Sequence, residues 1–162
     1  MILFKKQQHY LKTNWPNHCE EEVKQMTALE IAKYIVQKCG EEKNTITNKM
    51  LQYALCLVQE KTWLRYHHYA FSDDIEAWKS GPVIPSVHNY YSAYGEAPIL
   101  KAPQEKPTIL SPWLKDIIDS VLGEMQKKGA ETIIRENTAK GSPWDNTYAK
   151  GRKVIYISNY MY

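Results

Sequence analysis

The hydrophobic residues of this chain recur mostly at helical spacing, and this pattern predicts a mainly α-helical fold. The first helix should begin at Thr27, because Thr27 and Glu30 occupy the two positions of a capping box. Gly40 stands where a left-handed residue commonly ends a helix. One face between these signals is apolar, formed by Ile31, Ala32, Ile35, Val36 and Cys39.

The next hydrophobic stretch predicts a second helix with Thr47 as its N-cap. Its apolar positions run almost all the way round the helix axis, which is typical of a buried helix. We therefore expect this helix to lie at the centre of the fold. The positions concerned are Met50, Leu51, Tyr53, Ala54, Leu55, Cys56, Leu57 and Val58.

A tyrosine-rich stretch predicts a third helix, which should start at Pro85 and close at Gly95. Its stripe is formed by Val87, Tyr90, Tyr91 and Tyr94. Because phenol hydroxyls require water or a polar partner, we expect the three tyrosines to lie at the edge of the core.

Three prolines between residues 96 and 110 predict an extended crossover loop. Ser111 and Pro112 then start a long helix, which should end at Gly129. A short helix around residues 132–134 follows. Residues 140–144 are interpreted as a turn anchored by Trp144, with a polar loop after it.

Short β elements are predicted near residues 69–83 and 153–157. For residues 153–157 a second interpretation stays open, an extended lead-in to a terminal helix capped by Ser158. Residues 26–162 are expected to form a single compact helical domain, because neither side of the crossover loop looks complete alone. Residues 1–25 are polar and are interpreted as an N-terminal extension.

Composition narrows the class of protein without naming a reaction. The chain is 43% hydrophobic and 24% charged, which is ordinary for a globular protein, and no apolar run reaches the length of a membrane span. Three cysteines without a C-x-x-C pattern fit a reducing compartment. We therefore predict a cytoplasmic protein that has no membrane association.

Two clusters carry side chains that are common in enzyme sites. His67 and His68 are adjacent, so they point in different directions and chelate poorly together. Asp73, Asp74 and Glu76 permit acid–base chemistry, but without a partner motif an acidic first helical turn or a solvated corner explains them better. His18 beside Cys19 lacks a second ligand pair. The sequence therefore predicts no catalytic reaction, no cofactor and no metal.

The net charge of +3 is unevenly distributed. Residues 127–153 contain seven basic and three acidic residues, which gives +4 and leaves −1 for the rest of the chain. Trp144 and Tyr148 are interleaved with these cations. This segment supports an alternative function as a nucleic-acid-binding or phage-associated regulatory protein.

Four motifs stand in a fixed order along the chain. Residues 47–55 read T-N-K-M-L-Q-Y-A-L, residues 76–83 read E-A-W-K-S-G-P-V, residues 85–91 read P-S-V-H-N-Y-Y, and residues 142–144 read S-P-W. In this order they resemble the Panacea domain family, a prophage- and island-associated group that includes the SocA antitoxin. The chain departs from that pattern at Tyr53, where the family commonly has lysine, and at Asn137-Thr138, where it often has Thr-His.

The resemblance covers roughly residues 27–162 and implies a mostly helical antitoxin of a toxin–antitoxin pair. Members of the family are thought to neutralise a toxin encoded nearby by direct binding, and the SocA-like case resembles an adaptor that presents the toxin to a AAA+ protease. The Glu-Ala-Trp-x-x-Gly-Pro-Val motif is expected to define the fold through Glu76, Ala77, Gly81, Pro82 and Val83, together with Pro143 of the later motif.

Aromatic residues and arginine dominate the energetics of protein interfaces, which selects the partner-binding candidates. For Trp78 and Trp144, a plain role in the core is the stronger alternative. The basic segment would steer an acidic partner. The candidates are Trp78, Lys79, Tyr90, Tyr94, Trp144 and Arg152.

Overall fold

The structure, a computed structural model, describes residues 25–100 and 108–157, and about 60% of them are helical. The N-terminal extension up to residue 24, with His18 and Cys19, lies outside the described residues. The helices are α1 (Ala28–Glu41), α2 (Asn48–Tyr66), α3 (Pro85–Tyr90), α4 (Pro112–Lys128), α5 (Ala130–Asn137) and α6 (Pro143–Ala149). The strands are β1 (Glu76–Trp78) and β2 (Gly81–Val83). The predicted mainly α fold class is confirmed.

Helix α1 begins as its capping box predicts. The Glu30 backbone N–H donates to Thr27 Oγ1 at 3.2 Å, and the Thr27 backbone N–H donates to Glu30 Oε2 at 2.8 Å. The prediction that Gly40 terminates the helix was wrong. The helix continues to Glu41, and the left-handed residue is Lys43, with φ of +57°. The C-terminal end of the helix is capped by a hydrogen bond in which Asn44 N–H donates to the Cys39 carbonyl at 2.8 Å.

Helix α2 lies at the centre of the fold, as its all-round apolar pattern predicts. Its N-cap is Thr47, whose Oγ1 accepts from Met50 N–H at 3.2 Å. Every residue from Leu51 to Gln59 is buried. The helix contacts α1, α3, α4, α5 and β2, so it is the element against which the others pack.

The tyrosine-rich stretch is shorter as a helix than its pattern predicts. Helix α3 ends at Tyr90, and a 3₁₀ turn, Ser92–Tyr94, follows before Gly95. Val87 and Tyr91, four residues apart, form the buried face. Tyr91 is only 1% exposed, so its predicted place at the core edge was wrong, whereas Tyr90 is 44% exposed.

Strands β1 and β2 form an antiparallel hairpin in which Glu76 pairs with Val83 and Trp78 pairs with Gly81. The chain near its end adds to the other edge of β1 through an isolated antiparallel bridge between Glu76 and Val154. The hairpin lies against α2 through β2 and against α6 through β1.

Residues 140–142 form the predicted turn and residues 150–152 follow as a loop, but helix α6 occupies residues 143–149 between them, where the prediction was wrong. Ser142 Oγ accepts from Asp145 N–H at 3.1 Å, and Pro143 occupies the first helical turn. These are ordinary helix-start signals. The helix is only 7 residues long, too short for hydrophobic periodicity to reveal it. By contrast, α4, Gly129 and α5 occur where they are predicted.

Within the described ranges, none of the helices combines the length and the apolar character that crossing a membrane would require.

Candidate functional site

The hairpin holds Trp78 half-buried at the protein surface. The Trp78 Nε1–H donates to Glu76 Oε2 at 2.7 Å, across the same face of β1. The indole also meets the His88 imidazole edge-on, with ring centroids 5.2 Å apart. The Glu76 carboxylate and the His88 imidazole therefore both hold the Trp78 indole in its orientation.

Helix α6 brings a second tryptophan to the same place. The Trp144 Nε1–H donates to the Trp78 carbonyl oxygen at 2.8 Å. Its ring stacks on Tyr148, with centroids 5.1 Å apart and planes only 10° from parallel. Trp144 is half-buried, whereas Tyr148 is 43% exposed. His88, Trp78, Trp144 and Tyr148 thus form one surface cluster, here called the aromatic strip.

Glu76 contacts both Trp78 of the aromatic strip and Lys153. Lys153 Nζ lies 3.1 Å from Glu76 Oε1, while Trp78 donates to the other oxygen. The Trp78 hydrogen bond first, and Lys153 second, lower the pKa of Glu76 below its ordinary 4.5. The carboxylate is therefore ionised at neutral pH and serves as an acceptor.

Cations flank the aromatic strip. Lys79 lies in the hairpin turn, and Lys150 and Arg152 follow α6; all three are exposed. None of these three has a carboxylate within ion-pair distance among the described residues. By contrast, Lys38, Lys61 and Lys128 are all paired with carboxylates. Lys79, Lys150, Arg152 and Lys153 are here called the basic rim.

The Gly-Pro-Val half of the motif has a packing role. Gly81, Pro82 and Val83 are buried in β2. Gly81 has φ of +122°, and a Cβ at this position would overlap Tyr53 Oη and lie 3.2 Å from Tyr53 Cζ. Tyr53 is 1% exposed, and burial raises its pKa to about 12. The absence of a side chain at Gly81 therefore allows the hairpin to approach α2.

The six partner-binding candidates fall into two groups. Trp78, Lys79, Trp144 and Arg152 belong to the aromatic strip or its basic rim. Tyr90 instead contacts Tyr91 and lies under Lys33 Nζ, 4.8 Å from its ring centroid. Tyr94 is half-buried, and its Oη donates to the Leu100 carbonyl at 3.1 Å.

Buried amides on α2 hold the loops that carry the hairpin, and the hydrophobic periodicity of the sequence did not identify them. Gln59 Oε1 accepts from the backbone N–H of Ala70 at 2.7 Å, and Gln59 Nε2 donates to the Phe71 carbonyl at 3.0 Å. Gln52 Oε1 accepts from Ile84 N–H at 2.9 Å, directly after β2. The signal available in the sequence was a glutamine on a helix with no polar face.

Asp73 also has a structural role. Its Oδ2 accepts from Ala28 N–H at 2.7 Å, at the start of α1, and its Oδ1 accepts from Ser86 Oγ at 2.7 Å. Asp74 is exposed, and Glu76 points along the hairpin. The three carboxylates of the predicted acidic cluster therefore do not form one site. Asp73 accepts hydrogen bonds from Ala28 and Ser86, Asp74 is exposed, and Glu76 belongs to the hairpin.

The two histidines separate in the way that their adjacency predicts. His67 is exposed in the left-handed region with φ of +54°, at the end of α2. His68 is half-buried between Tyr66 and Trp113, and burial lowers its pKa. Over residues 25–100 and 108–157, no three His, Cys, Asp or Glu side chains gather closely enough to hold a metal ion.

A crevice of about 40 Å³ lies beside the aromatic strip, between α2, the hairpin and the chain end. It is lined by Trp144 and by two titratable side chains, Cys56 and Glu60. Burial raises the pKa of both groups, and Glu124 adds to the effect at Glu60. Burial also raises the pKa of Cys39 to about 11. The thiols of Cys56 and Cys39 are therefore protonated at neutral pH, where a thiol is a weak nucleophile.

No protein-family model, no curated protein and no solved structure matches this chain.

Proposed function

We propose that this chain is a Panacea-like antitoxin that binds and masks a toxin encoded beside it. The aromatic strip and its basic rim would form the contact surface. The proposal rests on the motif resemblance together with one observation: the motif residue Trp78 and the later motif residue Trp144 meet at the surface through a 2.8 Å hydrogen bond.

The chemistry of this surface supports a protein partner. Stacked rings that are half-buried present rigid apolar area at little cost in conformational entropy, and such anchors dominate protein interfaces. The basic rim adds three cations, Lys79, Lys150 and Arg152, that lack carboxylate partners among residues 25–100 and 108–157, and Lys153, which pairs with Glu76. Those charges would attract an acidic patch and raise the association rate.

Co-expression with the adjacent open reading frame tests the proposal. The neighbour should arrest growth when expressed alone, should be harmless with this chain, and should co-purify with it. A neighbour that is harmless by itself would remove the basis of the antitoxin hypothesis.

The surface is tested separately by Tyr148→Ala. Tyr148 is 43% exposed, so its removal should leave the free energy of unfolding within about 0.5 kcal/mol of the wild type. It should weaken the complex by about 2 kcal/mol, roughly thirtyfold, if the strip is an energetic centre. The matched control is Ile109→Ser, which removes an apolar side chain that is 92% exposed outside the strip. Equal binding by both variants would place the interface elsewhere.

Two outcomes would redirect the proposal. Rescue without a stable complex, accompanied by loss of the toxin, would favour delivery to a AAA+ protease. Nucleic-acid binding that weakens steeply with salt would favour the alternative function, because phosphate contacts release counterions.

A further inference from the structure

Among the described residues, residues 153–155 form the outer edge of the small sheet. Ala77 N–H donates to the Lys153 carbonyl at 2.7 Å, and Ile155 N–H donates to the Ile75 carbonyl at 2.8 Å. These two bonds flank the bridge between Glu76 and Val154. In an antiparallel pair, the backbone groups of a residue between two such bonds point away from the partner strand. The N–H and C=O of Val154 therefore point away from β1.

No described residue pairs with those two groups of Val154. The preceding residue differs, because Arg152 N–H donates to the Thr147 carbonyl at 3.0 Å and so belongs to the end of α6. Two residues along the strand, the side chain of Tyr156 is 55% exposed. Among residues 25–100 and 108–157, residues 153–156 thus form an open edge directly after α6, with an aromatic side chain beside it.

The surroundings of this edge are cationic and aromatic. Lys153 is the first residue of the edge, and its side chain is 76% exposed although it forms an ion pair with Glu76. Lys150 and Arg152 precede it, and both are exposed. The stacked Trp144 and Tyr148 lie on α6, immediately upstream. An incoming strand would meet positive charge at one end of the edge and exposed rings beside it.

We infer that the partner adds a strand to the edge formed by residues 153–156, through an extended segment of its own that carries acidic side chains. This inference rests on the proposed function and specifies how its surface is used. Main-chain hydrogen bonds to Val154 would supply binding energy, while the basic rim and Tyr156 would select the segment. Open edges are common sites for such addition because their backbone groups have no partners within the fold.

Amide hydrogen exchange of the ¹⁵N-labelled full chain, followed residue by residue by NMR, tests the inference without a mutation. In the complex with the adjacent-frame protein, exchange at Val154 should slow by about tenfold or more. Ile155 serves as the internal control, since its N–H already donates within the fold. A complex in which Val154 exchanges at its free rate would overturn strand addition while leaving the proposed function intact.

A second arm does not depend on the neighbour. The labelled chain is titrated with a short peptide of alternating glutamate and valine, and with the same peptide N-methylated at its valines. The first should shift the Val154 amide resonance and slow its exchange, and the second should do neither. No response at millimolar peptide would overturn the inference even if growth rescue succeeds.

Two further outcomes count against the inference. Protection of Val154 that rises with protein concentration in the absence of any partner would mean that a second copy of this chain covers the edge. Binding of a single-stranded oligonucleotide that leaves Val154 exchange unchanged, while the peptide does not bind, would assign the basic rim to nucleic acid.

Discussion

At position 81, one missing side chain decides how closely the hairpin approaches the central helix. Gly81→Ala should destabilise the protein by about 3 kcal/mol, because it combines a backbone dihedral that L side chains rarely adopt with overlap on Tyr53 Oη. Urea denaturation measures the loss. Tyr53→Phe should recover about 1 kcal/mol in the Gly81→Ala background, because it removes the overlapping oxygen.

The single variant Tyr53→Phe is the control for that cycle. It should be neutral or slightly stabilising, since Tyr53 Oη is buried and finds no hydrogen-bond partner among the described residues. Strictly additive effects of the two substitutions would mean that the hydroxyl does not limit the approach of the hairpin.

Glu76 gives the hairpin a pH dependence whose sign follows from its environment. Its pKa in the folded protein lies below 4.5, so its contribution to stability is present above that value and disappears as the pH falls through the folded pKa. Glu76→Gln should therefore cost about 1 kcal/mol at neutral pH and progressively less as the pH falls below 4.5 and through the folded pKa of Glu76. Unfolding free energies measured across this range provide the check, with the exposed Glu96→Gln as control. A constant difference between wild type and Glu76→Gln would show that the charge is not involved.

At the scale of elements, α2 holds its neighbours by side-chain amides as well as by apolar packing. Gln59→Leu keeps the size of the side chain but leaves the Ala70 and Phe71 backbone groups without their partner. We expect a loss of about 3 kcal/mol and faster amide exchange at Ala70 and Phe71. Gln126→Leu on the exposed face of α4 is the matched control and should change stability by less than about 0.5 kcal/mol. Similar losses for both variants would refute this role of Gln59.

Local signals explain which elements were predictable from the sequence. The caps at Thr27 and Thr47 use partners three residues away, and the burial of α2 follows from its own composition. Contacts between residues that are far apart in the sequence produce no local sequence pattern. Asp73 accepts from Ala28, Trp144 donates to Trp78, and Lys153 forms an ion pair with Glu76. The partners in each pair are too far apart in the sequence for hydrophobic periodicity to predict the contact. The residue types of the strip were predictable, but its assembly required the fold.

For the whole molecule, the distribution of charge matters more than the total of +3. Around α4, lysines share carboxylates in a network that includes Glu124 and Glu136, so much of that positive charge is locally neutralised. The basic rim has one pairing, between Lys153 and Glu76, among residues 25–100 and 108–157. Lys79, Lys150 and Arg152 therefore present positive charge beside the aromatic strip that no described carboxylate neutralises.

This asymmetry predicts a kinetic effect. Reversing two rim charges with Lys150→Glu and Arg152→Glu should slow association with the adjacent-frame protein by about tenfold at low ionic strength, while dissociation changes much less. The difference should shrink as salt is added, because exposed charges are screened beyond about 10 Å at 0.1 M. Surface plasmon resonance at several salt concentrations measures both rates.

The matched control reverses Lys115 and Lys127, two exposed lysines of α4, and changes the net charge by the same amount. If only total charge matters, both double variants will slow association equally, and the rim has no special role. If the rim directs the encounter, the α4 variant should associate at nearly the wild-type rate. A rim variant whose dissociation accelerates while association is unchanged would instead mean that Lys150 and Arg152 make contacts in the bound complex and do not act by steering.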